Sequence, residues 1–160
     1  MLFTGHAELT IDPQQRLAIP AKYRSQWSEE RDGKAWYIVP WSARQIRLFT
    51  ERTFEMLAAQ CSDSLSQSQD AADLDSELFG IAERVEMDKA GRVTIPKLHV
   101  QMTQLGSDVV LVGARNRLEI RDRAAWTATI PERFARLPQL LSRVDASKGQ
   151  QDNGSSGMNR

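Results

Sequence analysis

The sequence of 160 residues contains one cysteine, two histidines and no long run of apolar residues. Cys61 cannot form an internal disulfide, and the N-terminus shows no basic region followed by an apolar stretch, so a cytoplasmic protein is predicted. A membrane-spanning helix needs about 18 or more apolar residues in succession, and none is predicted. His6 and His99 are far apart in the sequence, so no cluster has the spacing of metal ligands and we predict no metal site.

Motifs of catalytic chemistry are also missing. The sequence has no glycine-rich phosphate loop, no Gly-x-Ser-x-Gly nucleophile elbow and no paired carboxylates. We therefore expect a protein that is not an enzyme and that uses no cofactor and no small-molecule ligand.

The net charge is zero, because 21 Lys and Arg residues balance 21 Asp and Glu residues. Taken alone, this argues against nucleic-acid binding, which needs clustered basic side chains. The charges are unevenly distributed, however: residues 53–83 contain seven acidic residues and no basic ones, and both flanking segments have a basic excess. If the acidic segment lies on a different face, the rest of the surface can attract DNA.

A short motif occurs twice in the chain. Asp12–Pro20 and Asp88–Pro96 both have the pattern Asp-x-x-x-Arg-apolar-x-Ile-Pro, and matching positions are 76 residues apart. Such a repeat indicates a duplicated supersecondary unit. Halves of about 50 to 60 residues bury only a small core each, so we expect them to pack on each other or on further copies of the chain.

Each motif has the pattern of two strands joined by a tight turn. Apolar residues alternate with polar ones in 8–19 and 84–95, which is the periodicity of half-buried strands. Gly91 suits the left-handed backbone conformation that closes such a turn. Gln15 takes its place in the first copy, so a positive φ in both turns predicts a strain of about 1 kcal/mol at Gln15. Pro13 fixes φ directly after Asp12, and a different geometry of the first turn is the alternative.

The proline that ends each motif is predicted to start a helix. Tyr23 and Trp27 in the first helix, and Leu98 and Met102 in the second, are four residues apart, which predicts that they form the buried helical faces. Two more strands and a closing helix follow in each half. This order predicts an α+β fold.

These residues resemble the MraZ family. The likeness rests on Phe3-x-Gly5 before the first strand, on the two motifs, and on the run Val-Val-Leu-Val-Gly113 after the second one. It covers roughly residues 1–136. The resemblance implies two tandem AbrB-like swapped-hairpin β-modules that form a small β-barrel-like core with flanking helices.

The expected organisation follows from this resemblance and from composition. The first module occupies 1–60, an acidic and polar connection 61–80, and the second module 81–136. The tail at 145–160 has almost no apolar content and is expected to be disordered.

The resemblance also implies a function. Members of this family are bacterial transcriptional regulators that form ring-shaped homo-oligomers and bind short direct repeats upstream of the division and cell-wall gene cluster. We accordingly expect a nucleoid-associated repressor whose partners are promoter DNA and further copies of itself. The candidate DNA-binding residues are Arg16, Arg92, Lys22, Arg24, Lys89 and Lys97. The residues expected to shape the motif are Asp12, Asp88, Gly91, Pro20 and Pro96.

Four alternatives stay open from the residues alone. Asp and Arg four apart across a turn can form an ion pair that fixes the turn, a role that can coexist with DNA contact by the arginine. The side chains of Lys22, Arg24, Lys89 and Lys97 can be ordinary solvated ones. The run of Arg115, Arg117, Arg121 and Arg123 fits either a subunit seam or a DNA surface. The alternative function is a ring-forming oligomeric scaffold that has lost DNA recognition, motivated by Gln15, by Thr4 and by the zero net charge.

Overall fold

The computed structural model describes residues 1–61 and 68–155. The chain divides into two compact units, Met1–Ala124 and Ala125–Arg160. The strands are β1 (His6–Thr10), β2 (Arg16–Ala18), β3 (Ala35–Ser42), β4 (Gln45–Thr50), β5 (Glu83–Glu86), β6 (Arg92–Thr94), β7 (Asp108–Gly113) and β8 (Leu118–Asp122). The helices are α1 (Ala21–Arg24), α2 (Glu29–Asp32), α3 (Glu51–Ala58), α4 (Gln69–Ile81), α5 (Lys97–Thr103), α6 (Arg123–Ala128) and α7 (Ile130–Ser155).

The first unit contains two antiparallel sheets. The larger has the strand order β1-β7-β8-β4-β3-β5, and the smaller consists of β2 and β6. Each motif therefore pairs with the other half of the chain: β1 adds to β7, β5 adds to β3, and β2 pairs with β6. The predicted α+β class with exchanged hairpins is confirmed. In the described part of the chain the larger sheet keeps two edges, β1 and β5.

An approximate two-fold axis relates the two halves. Leu17 lies opposite Val93 in the smaller sheet, and these two positions are equivalent in the repeat. Arg47 lies opposite Glu119 in the larger sheet, and these positions are also equivalent, with a separation of 72 residues because the second half is shorter by four. The two-fold axis passes through the Leu17–Val93 pair and the Arg47–Glu119 pair, so the same axis relates the two halves of both sheets.

The main core lies between the two sheets. The strands of the smaller sheet and the residues directly after them contribute four buried side chains, Leu17, Ile19, Val93 and Ile95. All four belong to one cluster with the inward residues of β3, β4, β7 and β8. The alternation in the two motifs predicts these four residues as buried, and the structure confirms it. The cluster also contains Trp36, with Trp27 packed against it.

The predicted buried face of the second helix is wrong. Leu98 and Met102 are 57% and 50% exposed, whereas His99 and Thr103 are buried. The repeat explains the difference, because the 76-residue offset matches Tyr23 with His99. Tyr23 donates from its hydroxyl to the Gly5 carbonyl, and the His99 Nε2 lies 2.7 Å from the carbonyl of Ile81, the residue equivalent to Gly5. Different side chains thus make the same contact in the two halves.

The acidic connection is partly helical. Residues 62–67 lie outside the described residues, and Gln69–Ile81 forms α4, whose first turn is capped by the Ser68 hydroxyl. Leu78 and Phe79 of α4 pack against a second cluster that contains Val39, Phe49 and Phe54.

The second unit contains the long helix α7. Its exposed apolar residues are Ile130, Phe134, Leu137, Leu140, Leu141 and Val144. The helix includes residues 145–155, for which the sequence predicts disorder, and 156–160 lie outside the described residues. Among the described helices, none combines the length and the apolar character needed to span a membrane.

Burial of His99 predicts a pH dependence of stability. Burial lowers the pKa of His99 below its ordinary value, so the folded state favours the neutral ring. The unfolded state therefore binds the proton more readily than the folded state does. The contribution of His99 to the free energy of unfolding is complete above a pH of about 6.5 and falls as the pH drops below it. We expect the urea midpoint to fall between pH 7.5 and 5.5 in the wild type and to change much less in His99→Gln, whose amide can still donate to the Ile81 carbonyl. An equal fall of the urea midpoint with pH in the wild type and in His99→Gln would contradict the assignment of this pH dependence to His99.

Candidate nucleic-acid interface

The smaller sheet exposes both motif arginines on one face. Leu17 and Val93 are buried on its inner side, and side chains alternate across a strand. Arg16 and Arg92 therefore lie on the outer side, about one third exposed at 34% and 35%. The register pairs Arg16 with Thr94 and Ala18 with Arg92, so the two arginines are diagonal neighbours across the two strands.

In the first motif the Asp12 carboxylate organises the turn before β2. Its Oδ1 accepts hydrogen bonds from the backbone N–H groups of Gln14 and Arg16, each at 2.9 Å. Its Oδ2 accepts from the Arg16 Nε at 2.7 Å. One carboxylate thus fixes both the backbone of the turn and the direction of the guanidinium.

The second motif repeats this geometry. The Asp88 Oδ1 accepts from the N–H groups of Ala90 and Arg92 at 2.9 Å each, and Oδ2 accepts from the Arg92 Nε at 2.8 Å. The backbone N–H of Arg92 lowers the pKa of Asp88 most, and the guanidinium lowers it further. The ion pair expected as an alternative is present in both copies, and it uses Nε rather than the terminal nitrogens of the guanidinium.

The two turns are joined across the two-fold axis. Gln15 and Gly91 have φ angles of 63° and 76°, so both turns use the left-handed conformation, and of the two geometries left open for the first turn Gln15 adopts the one with a positive φ. The N–H of Ile19 donates to the Gly91 carbonyl at 2.9 Å, and the N–H of Ile95 donates to the Gln15 carbonyl at 2.7 Å. Each turn therefore helps to hold the strand that follows the other turn.

The basic residues of α1 lie against neighbouring backbone. Lys22 donates from Nζ to the carbonyl of His6. The side chain of Arg24 passes over Gly91, where an added Cβ would lie 2.9 Å from the Arg24 Cδ. Arg24 thus covers the turn of the second motif, whereas its repeat equivalent Val100 lines an open cavity of about 390 Å³ beside Gln15.

Lys89 and Lys97 are exposed near the second turn and the start of α5. In the described part of the chain neither of them forms an ion pair. Among the described residues, the ion pairs of the six candidate cations involve two carboxylates, those of Asp12 and Asp88. The acidic helix α4 packs on the second cluster, with Val39 and Phe49, and these residues lie on the other side of the larger sheet. The acidic helix α4 is thus separated from the motif arginines by the larger sheet.

Thr94 was not singled out from the sequence. It shares the outer face with Arg92 because the two residues are two positions apart in one strand. Strand alternation was the signal that could have placed it there.

No group of three or more metal-binding side chains is found in the described residues.

Comparison of the sequence with known proteins identifies the family of this chain. A family model described as "MraZ protein, putative antitoxin-like" matches residues 78–139. The chain is 30% identical to the transcriptional regulator MraZ of Nitrosococcus oceani over 142 residues, which cover 89% of this chain and 95% of the relative. The chain belongs to the MraZ family.

Two further MraZ relatives match over most of their length. The transcriptional regulator MraZ of Shewanella oneidensis is 29% identical over 131 residues, 82% of this chain and 86% of the relative. The transcriptional regulator MraZ of Coxiella burnetii is 29% identical over 125 residues, 78% of this chain and 82% of the relative. The MraZ family model covers the second motif, and the longer matches extend beyond it.

The left-handed residue of each turn gives a matched pair of stability predictions. Gly91→Gln should lower the free energy of unfolding by about 1–2 kcal/mol, because a side chain is strained at positive φ and its Cβ would contact Arg24. Gln15→Gly should change it by less than about 1 kcal/mol, because relief of strain is offset by the greater freedom of glycine in the unfolded chain. Urea unfolding at fixed protein concentration measures both.

The background Arg24→Ala separates the two causes. There Gly91→Gln should cost less than in the wild type, because only the backbone strain remains. An equal cost in both backgrounds would show that Arg24 does not rest on this turn.

Proposed function

We propose that this chain is a sequence-specific DNA-binding transcriptional repressor of the division and cell-wall gene cluster, cytoplasmic and nucleoid-associated. It acts as a ring-shaped homo-oligomer on direct repeats in the promoter region. The observation that carries the proposal is the pair of motif arginines, Arg16 and Arg92, on one exposed face with their carboxylate partners bound at Nε. The naming of the relatives as transcriptional regulators supports it.

The chemistry of the arginines suits DNA. A guanidinium held at Nε keeps its terminal nitrogens for a second partner, and a planar guanidinium can bind phosphate oxygens or the O6 and N7 atoms of guanine. Arg16 Nη2 lies 3.1 Å from the Gln14 side-chain oxygen, and the terminal nitrogens of Arg92 have no hydrogen-bond partner among the described residues. Arg92 is therefore the freer of the two to bind DNA.

The flanking cations would add phosphate contacts. Lys89 and Lys97 extend the basic surface on the side of the second turn, and Lys22 and Arg24 extend it on the side of α1. Phosphate contacts hold the protein in register and base contacts carry sequence information. We therefore assign base recognition to the arginines at the two-fold axis, and we assign the phosphate contacts that position the protein to the outer cations.

Repetition in a ring would compensate for the modest charge of one copy. Direct repeats on the DNA present the same contact at regular intervals, and linked binding sites raise the effective affinity without new contacts. The exposed apolar residues of α7 support self-association: Ile130, Phe134, Leu137, Leu141 and Val144 follow the 4-3-4-3 spacing of a helix that packs on another helix.

DNA binding is tested by mobility shift with the chain's own promoter region. The wild type should shift it, and a probe with scrambled repeats should bind much more weakly at the same salt concentration. Arg16→Ala and Arg92→Ala should each weaken binding by about 5- to 150-fold, the effect of losing one bidentate contact. Arg92→Lys separates the two modes, because lysine keeps a phosphate contact and loses the bidentate one.

Arg52→Ala is the matched control, since Arg52 is exposed on α3 and remote in sequence from both motifs. It should bind as the wild type does. A wild type that binds both probes equally, or not at all, would contradict the repressor and favour the ring-forming scaffold.

Self-association is tested by light scattering at micromolar concentration. The wild type should have the mass of a closed oligomer, and Leu137→Glu with Leu141→Glu should reduce it, because two charges would then lie in the apolar stripe of α7. The circular dichroism of the variant should still show the folded sheets. A monomeric wild type would contradict the ring and remove the gain in affinity that repetition provides.

A further inference from the structure

The outer side of the larger sheet carries a cluster of arginines that the DNA surface does not use. Glu119 lies at the centre of this side and is buried. Arg117 and Arg121 donate to it from Nε at 2.9 Å each, and Arg47 Nε lies 3.6 Å from it. Burial tends to raise the pKa of Glu119, but the arginines lower it. Among the described residues, the Glu119 carboxylate thus lies within ion-pair distance of three guanidinium groups.

Arg47 is the least compensated member of this cluster. Its side chain is largely buried, its guanidinium stacks on the ring of Trp41 at 3.5 Å, and its Nε has no hydrogen-bond partner among the described residues. Burial lowers the pKa of Arg47 most, and the positive charge of Arg117 lowers it further. An additional anion beside Arg47 would favour its charged form and so oppose both effects.

An apolar cavity of about 300 Å³ opens beside Arg47. Its walls include Phe49 of β4, Phe54 and Leu57 of α3, and Phe79 of α4. Arg115, Asn116 and Arg117 also line it. We call this space the arginine cavity. A largely apolar space with a few polar groups is typical of small-molecule sites, and its volume lies at the lower end of their range.

Among the described residues, the polar side of the arginine cavity has a hydrogen-bond acceptor without a partner as well as a donor without one, the Nε of Arg47. The Asn116 Oδ1 is buried and has no hydrogen-bond partner among the described residues. A buried polar atom without a partner costs free energy. An anionic head group can satisfy the Arg47 donor, because a carboxylate or phosphate oxygen accepts hydrogen bonds, and a phosphate that keeps one proton can also donate to Asn116.

From this geometry we propose that the arginine cavity binds a small amphipathic organic anion. Its acidic head, a carboxylate or a phosphate monoester, lies against Arg47, Arg115 and Arg117, and its apolar body lies against Phe49, Phe54 and Phe79. Nucleic acid fits poorly, because a phosphate backbone has no apolar body to fill the cavity. The site lies on the opposite side of the larger sheet from Leu48 and Ile120 of the core, and hence from the motif arginines.

Calorimetric titration of the full chain with octanoate, octyl phosphate and 1-octanol tests the proposal, because these probes share one apolar body and differ in the head. At least one of the two acids should bind at one site per chain, and about tenfold or more tightly than the alcohol, as expected for a charge-assisted contact. A preference for one acid identifies the head group. Equal affinity of the alcohol would overturn the role of the arginines.

Two variants place the site. Arg115→Gln, at an exposed side chain, should weaken the acids about tenfold and leave the alcohol unchanged. Ala58→Phe, on α3 at the cavity wall, should abolish binding of all three probes. Arg52→Gln on the same helix, which does not line the cavity, is the control and should bind normally. Circular dichroism confirms that each variant is folded.

The competing occupant is a second copy of the chain. If no probe binds and Ala58→Phe lowers the mass measured by light scattering, the cavity is a subunit seam and the proposal is overturned. Binding that survives Ala58→Phe would overturn it as well. Because no DNA is present in these titrations, their failure leaves the proposed repressor function untouched.

Discussion

The pairing of β2 with β6 is the contact on which the rest of the structure depends. It buries Leu17 and Val93 at the two-fold axis, opposite each other. It also lets each turn accept a hydrogen bond from the strand after the other turn. Neither half can form this sheet alone, since each supplies one strand. The exposed arginine pair is therefore a product of the exchange between the halves, because the same pairing that buries the leucine and the valine brings Arg16 and Arg92 together outside.

The aspartate of each motif links the turn to the orientation of its arginine. Oδ1 binds two backbone N–H groups and Oδ2 binds Nε, so rotation of the carboxylate would break contacts to both backbone and guanidinium. From the sequence, the aspartate can form an ion pair and orient its arginine for DNA at the same time. The geometry is consistent with both roles, because the pair at Nε leaves the far edge of the guanidinium for another partner. The carboxylate then acts as a positioning group, whatever the arginine binds.

The repeat predicted much of this fold, and it could have predicted more. Alternation placed Leu17, Ile19, Val93 and Ile95 inside. The equivalence of Gly91 and Gln15 indicated one of two possible geometries for the first turn, and this is the one that the structure has. The buried face of α5 was predicted wrongly because the prediction relied on the four-residue spacing of Leu98 and Met102 within that helix. The offset of 76 residues would instead have matched His99 to the buried Tyr23.

Other features had no local signal. Alternation of apolar and polar residues predicts which side of a strand is buried, but it does not predict the partner strand. The exchange of strands between the halves was therefore predicted only by the family resemblance. The arginine cavity joins residues from β4, α3, α4 and the turn before β8, and no spacing in the sequence predicts that they meet. The candidate interface was the more predictable of the two sites, since each of its turns is contained in nine consecutive residues.

The position of Arg47 and Glu119 shows why the halves cannot be identical. Equivalent residues face each other where strands pair across a two-fold axis, so an exact duplicate would place like side chains in contact. Leucine and valine tolerate this at the centre of β2 and β6. Two arginines or two glutamates at the centre of β4 and β8 would repel each other, and Arg47 with Glu119 attract instead. The asymmetry that turns a repulsion into an ion pair also gathers Arg117 and Arg121 around the same carboxylate on the outer side of the sheet.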